Sequence, residues 1–73
     1  MPARMGNIVR AAKRLGLRVV EGKGTSHWKF ERDGHRPYPI PAHNGEKQEI
    51  SDKYIRGMCR ALGLDENELR KLL

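Results

Sequence analysis

His27 and Lys29 stand two residues apart in the run Lys23-Gly24-Thr25-Ser26-His27-Trp28-Lys29-Phe30. An imidazole titrates near neutral pH and can take or give a proton, and an ammonium beside it can stabilise negative charge building on phosphorus. Together they suit general acid–base chemistry on a substrate that develops negative charge. A complete acid–base pair needs a second group. His43 fills that place if the segment after the third strand folds back toward His27.

Trp28 and Phe30 alternate with His27, Lys29 and Glu31, which predicts a strand with one buried and one wet face. A packed strand would hold the imidazole in place while leaving it open to substrate. The same alternation assigns Trp28 to the core, against the alternative of a platform for stacking unpaired bases. His35, in Asp33-Gly34-His35-Arg36, reads as an exposed turn residue.

The elements around this strand follow from periodicity. From about Arg4 to Leu15, Met5, Ile8, Val9, Ala12 and Leu15 recur at helical spacing, and Gly16 is placed to end the helix. Leu17 to Glu21 reads as a strand. A second strand runs from Ser26 to Arg32, and Asp33-Gly34 predicts a two-residue type I′ hairpin turn. Tyr38 and Ile40 form a third strand among Pro37, Pro39 and Pro41, which the missing N–H groups confine to a sheet edge. The sheet is thus an antiparallel meander with the histidine strand in the middle.

Ala42 to Glu49 is polar and reads as a loop. Ser51 is then the N-cap of a helix with the apolar stripe Ile55, Met58, Cys59 and Leu62, stapled by Ile50 against Ile55 and ended by Gly63. Cys59 belongs to that stripe as a small hydrophobe. Asp65 and Glu68 form a capping box for a short terminal helix with Leu69, Leu72 and Leu73 on one edge. The order is α-β-β-β-α plus a short helix, an α+β two-layer sandwich spanning residues 1–73 as one domain.

Composition bounds what such a domain does. With 73 residues, 37% hydrophobic and 33% charged, it has a limited core, and no apolar run reaches the length of a membrane span. One cysteine excludes an internal disulfide framework, and the basic start lacks a secretory h-region, so a cytoplasmic protein is expected. Residues 1–37 hold nine Lys/Arg against three acids and residues 38–73 six against six, so the whole net charge of +6 lies in the first half. A basic half favours phosphate backbones or an acidic protein as counterpart. Arg10, Lys13, Arg14, Lys23 and Lys29 are the candidate phosphate contacts, and Gly24 and Thr25, in the turn before His27, are expected to bind RNA with them. His27, His43 and Cys59 show no metal-ligand spacing, and neither a metal nor another cofactor is expected.

Three motifs carry a resemblance. Gly24-Thr25-Ser26-His27 is similar to the Gly-Ser-x-His turn of the HicA (YcfA-like) toxins, and Ile40-Pro41-Ala42-His43 resembles their Val/Ile-Pro-x-His segment. The run Ile55 to Gly63 is similar to the helix that follows, with its early Leu/Ile-Arg pair and late glycine. The likeness covers nearly all of residues 5–64. Thr25 stands where serine is usual, Leu17 where an aromatic residue is frequent, and residues 65–73 extend beyond the shorter members.

The resemblance implies a fold like the double-stranded-RNA-binding domain and a toxin of a type II toxin–antitoxin system, an endoribonuclease that cleaves mRNA. It also implies His27 as the catalytic residue and a HicB-like antitoxin as partner. Two other classes compete. A non-catalytic RNA-binding module of the same fold would not need His27. A helix-turn-helix DNA binder would present Glu66 and Glu68 where base contacts belong, which weighs against it.

Overall fold

Phe30 and Ile40 are fully buried and Trp28 retains 7% exposure, whereas His27 and Lys29 are exposed. The two-residue period of the strand therefore separates a dry face from a wet one. A computed structural model describes residues 1–23 and 26–73. Strand β1 (Ala3–Arg4) leads into helix α1 (Met5–Arg14), followed by β2 (Arg18–Val20), β3 (His27–Glu31) and β4 (Tyr38–Pro41). A 3₁₀ turn (Gly45–Lys47), β5 (Glu49–Ile50), α2 (Asp52–Ala61) and α3 (Glu66–Lys71) complete the order.

Strands β2, β3 and β4 form an antiparallel sheet with β3 in the centre, as the period-2 pattern predicts. Val19 pairs with Phe30, and Trp28 with Ile40. Their inner faces meet the stripes Met5, Ile8, Val9, Ala12 of α1 and Ile55, Met58, Cys59, Leu62 of α2 in one core. The result is an α+β two-layer arrangement. Among the described residues no helix is long and apolar enough to cross a membrane.

Glycine ends both long helices through the same geometry. Gly16 sits at φ 85°, the Leu17 N–H donates to the Ala12 carbonyl at 2.9 Å, and the Gly16 N–H donates to Lys13 at 3.0 Å. Gly63, at φ 65°, repeats the motif, with Leu64 N–H donating to the Cys59 carbonyl at 2.8 Å. A side chain at either position would oppose the left-handed backbone that satisfies these terminal carbonyls. At the start of α3 the Asp65 carboxylate accepts from the Glu68 N–H at 3.1 Å, as expected of a cap.

One sequence expectation holds in position only, and two are corrected. Ser51 occupies the N-cap position of α2, but its side chain makes no capping bond; Ile50 and Ile55, both buried, bracket that turn. Asp33-Gly34 is not a type I′ turn, because that turn needs positive φ at both residues and, among the described residues, only glycines have it. Gly34 alone supplies it, at φ 83°, with the His35 N–H donating to Arg32 O. The pairing of Phe30 with Tyr38 leaves an odd number of residues between the partners, so the loop is longer than two. Finally, the segment 42–49 is not all loop. It contains the 3₁₀ turn and the first residue of β5, a strand whose Ile50 and Glu49 pair with Ala3 and Arg4.

That small second sheet fixes the start of α1 to the start of α2. The Met5 N–H donates to Gln48 O at 2.8 Å, so the 3₁₀ segment lies against the first turn of α1. At the other end of the molecule Arg32 does a similar job. Its guanidinium donates to the carbonyls of Leu62 (2.7 Å) and Gly63 (3.1 Å), tying the β3–β4 hairpin to the C-terminus of α2. A cation there satisfies orphan carbonyls and opposes the negative end of the helix dipole. Arg32→Ala should lower unfolding free energy by about 1 kcal/mol. Denaturant titration checks this, and an unchanged midpoint would show that the contact contributes nothing.

Candidate functional site

The wet face of the sheet follows from strand pairing. Lys29 lies opposite Val20 on β2 and Pro39 on β4, and His27 lies opposite Pro41. Residues two apart on a strand project from one face roughly 6–7 Å from each other, so the imidazole and the ammonium can address one phosphate group. Val20, 46% exposed, and the two prolines surround them with apolar surface. Lys29 is paired with both neighbouring strands, whereas the strand pairing of His27 among the described residues is with β4 alone, through Pro41. Positioning comes from the core on the opposite face.

The acids of this face are gathered at its far end. Arg18 contacts Glu31 at 3.5 Å and Asp33 at 3.0 Å, and these carboxylates hold its guanidinium still more firmly protonated, Asp33 most. Such exposed pairs add little stability. Arg18 engages both carboxylates, and Lys29 forms no ion pair among the described residues.

His43 is brought near the start of β3. The Ala42 N–H donates to Ser26 O at 2.6 Å, which carries the β3–β4 ladder one residue past His27 and Pro41 and sets His43 next to the start of β3. The exposed His43 lines an open cavity of about 540 Å³ with Glu21, Ser26, Trp28 and Ala42, and His27 is not among its walls. Lys23 is exposed in the segment after β2. Gly24 and Thr25, expected to form the turn that delivers His27, lie outside the described residues.

Arg10, Lys13 and Arg14 are exposed on α1, as the helical period predicts, with Arg10 hydrogen-bonded to Asn7. That helix packs on the inner face of the sheet. The three cations therefore belong to the helical layer and His27 and Lys29 to the open face, so the expected phosphate contacts fall in two groups.

Other candidates settle into structural places. Cys59 is buried, and burial pushes its thiol above the ordinary value, so it stays protonated at neutral pH. Among the described residues no group of three or more His, Cys, Asp or Glu side chains is gathered as metal ligands would be. His35 is exposed in its turn, its Nδ1 3.2 Å from the Asp33 carbonyl.

A group of cations that sequence reasoning passed over lies on α2, where Lys53, Arg56 and Arg60 line a cleft with Tyr38. The signal was their i, i+3, i+7 spacing. It was hidden by the zero net charge of the second half of the chain.

No family model matches the chain, and no curated protein is significantly similar to it. The reading of the site rests on its geometry and on the sequence motifs.

Trp28 is the sole tryptophan, which makes its environment directly measurable. Its emission should be blue-shifted, resistant to acrylamide quenching and unchanged by added RNA. Trp28→Ala should cost about 3–5 kcal/mol of stability. A red-shifted emission quenched by RNA would instead identify Trp28 as a stacking platform.

Proposed function

We propose that this chain is a toxin ribonuclease of the HicA kind, cleaving mRNA with His27 as its catalytic residue. The observation that carries the reading is the pairing of an exposed histidine and an exposed lysine on the central strand, held over a packed core. The HicA-like motifs around His27 and His43 support it, and the basic first half of the chain suits an RNA substrate.

In the proposed reaction the 2′-oxygen attacks phosphorus and the bond from phosphorus to the 5′-oxygen breaks. His27 moves a proton, from the 2′-hydroxyl or to the 5′-oxygen, and Lys29 stabilises the additional negative charge on the phosphorane. Neither role calls for a metal. His43 is the candidate for the complementary proton if substrate bridges the two sides of the β3 start. The partner is an acidic, HicB-like antitoxin that covers the His27 face, and the proposed place of action is the cytoplasm, where mRNA is met.

His27→Ala should reduce RNA cleavage by ~10² to 10⁴ and abolish growth inhibition. Loss of an exposed side chain should leave stability within about 0.5 kcal/mol of the parent. The measurement pairs cleavage, with and without chelator, and thermal melting on one preparation, with His35→Ala as a control that cleaves normally. Full cleavage by His27→Ala would remove the catalytic assignment, and RNA binding without cleavage in the parent would favour a non-catalytic RNA-binding module.

A further inference from the structure

Helix α2 carries Lys53, Arg56 and Arg60 along its exposed side, opposite the stripe it buries. With Tyr38 of β4 and Gly57 they line an open cleft of about 380 Å³ between the helix and the sheet edge. Gly57 is where the Tyr38 phenol meets the helix. A Cβ there would collide with the Tyr38 Oη, so a bare backbone at this position lets the phenol rest against the helix. Glycine inside a helix costs about 1 kcal/mol relative to alanine. That cost is met here by a floor of backbone and phenol beneath three cations.

The cleft is rich in donors and poor in acids. Arg56 has a loose partner in Glu66 at 3.7 Å, while Lys53 and Arg60 form no ion pair among the described residues. Asp52, the nearest acid in sequence, is engaged by Arg70 at 3.1 Å and by the Met1 amino group at 2.6 Å. Burial, reinforced by Tyr54, keeps the Tyr38 phenol protonated, so it too offers an O–H. Along the helix the three cations rise by about 4.5 and 6 Å, a ladder of side-chain donors for a chain of regularly spaced negative charges.

We propose that this cleft binds the phosphate backbone of an RNA strand that continues across β4 toward His27. The inference rests on the ribonuclease reading and adds a substrate track to it. β4 connects the two places: Tyr38 at its start faces the helical side and the cleft, while Pro41 at its end lies opposite His27, so the RNA strand would pass from the helical side over the sheet edge to the open face. The edge itself argues against a protein occupant that adds a strand, because Pro37, Pro39 and Pro41 present no N–H to pair with one. Side-chain cations beside a donor-free edge recognise phosphates without needing the sheet's own ladder.

The test is fluorescence anisotropy with a short, uniformly 2′-O-methylated RNA, which cannot be cleaved, over a range of salt. Lys53→Ala/Arg60→Ala should weaken binding about tenfold at physiological salt and lower the slope of log affinity against log salt by roughly 1.4, two single-strand phosphate contacts. Lys71→Ala, on α3 away from the cleft, should match the parent, and Arg60→Lys should keep the slope. Melting curves verify that every variant is folded. Parent-like affinity and slope in the double variant would overturn the cleft while leaving the ribonuclease reading intact. Absence of RNA binding by the parent would remove both. Loss of binding to an acidic protein, with RNA affinity unchanged, would reassign the cleft to a protein partner.

Discussion

Trp28, Phe30 and Ile40, pressed between the sheet and two helices, are the constraint on which the remaining structure depends. In a chain of 73 residues few large apolar side chains are available, and each buried one contributes on the order of 1.5–3 kcal/mol. A slip of one residue in the β3 register would turn Trp28 and Phe30 out to water and bring His27 and Lys29 in. The outward placement of the imidazole and the ammonium is thus enforced by the core. Chemistry on the open face and stability on the inner face are two consequences of one alternation.

The helices must be held against this sheet by more than their apolar stripes, since the core is small. Contacts at the periphery do this. Arg32 reaches the end of α2, the β1–β5 pair joins the starts of both long helices, and Arg70 of α3 donates to Asp52 of α2 at 3.1 Å. Leu69, fully buried, anchors that short helix to the core. These ties leave the outer face of β2, β3 and β4 uncovered among the described residues.

Much of the fold was legible because its signals are local. The stripes of α1 and α2, the glycines at 16 and 63, the Asp65 cap and the edge position of the proline strand each follow from residues within one or two turns of each other. What escaped depends on distant pairs. Two-residue strands such as β1 and β5 have no period to detect, and their partners are separated by most of the chain. The Arg32 contacts and the fit of Tyr38 over Gly57 are likewise properties of assembled elements. In the loop after β3, Asp33-Gly34 signalled a turn correctly, but the strand register decided its length. For the candidate site, alternation was enough to orient His27 and Lys29. It could not show that Arg10, Lys13 and Arg14 belong to the other layer, nor that balanced charge in the second half conceals a one-sided helix.

Nuclear magnetic resonance of the isotope-labelled protein, titrated with an uncleavable RNA, asks most directly whether the open sheet face meets substrate. Signals of Val20, His27 and Lys29, which share that face, should shift in a saturable way as RNA is added, while those of Phe30 and Leu69 in the core stay in place. Saturation of the protein with RNA while Val20, His27 and Lys29 remain unmoved would contradict the assignment of this face as the site.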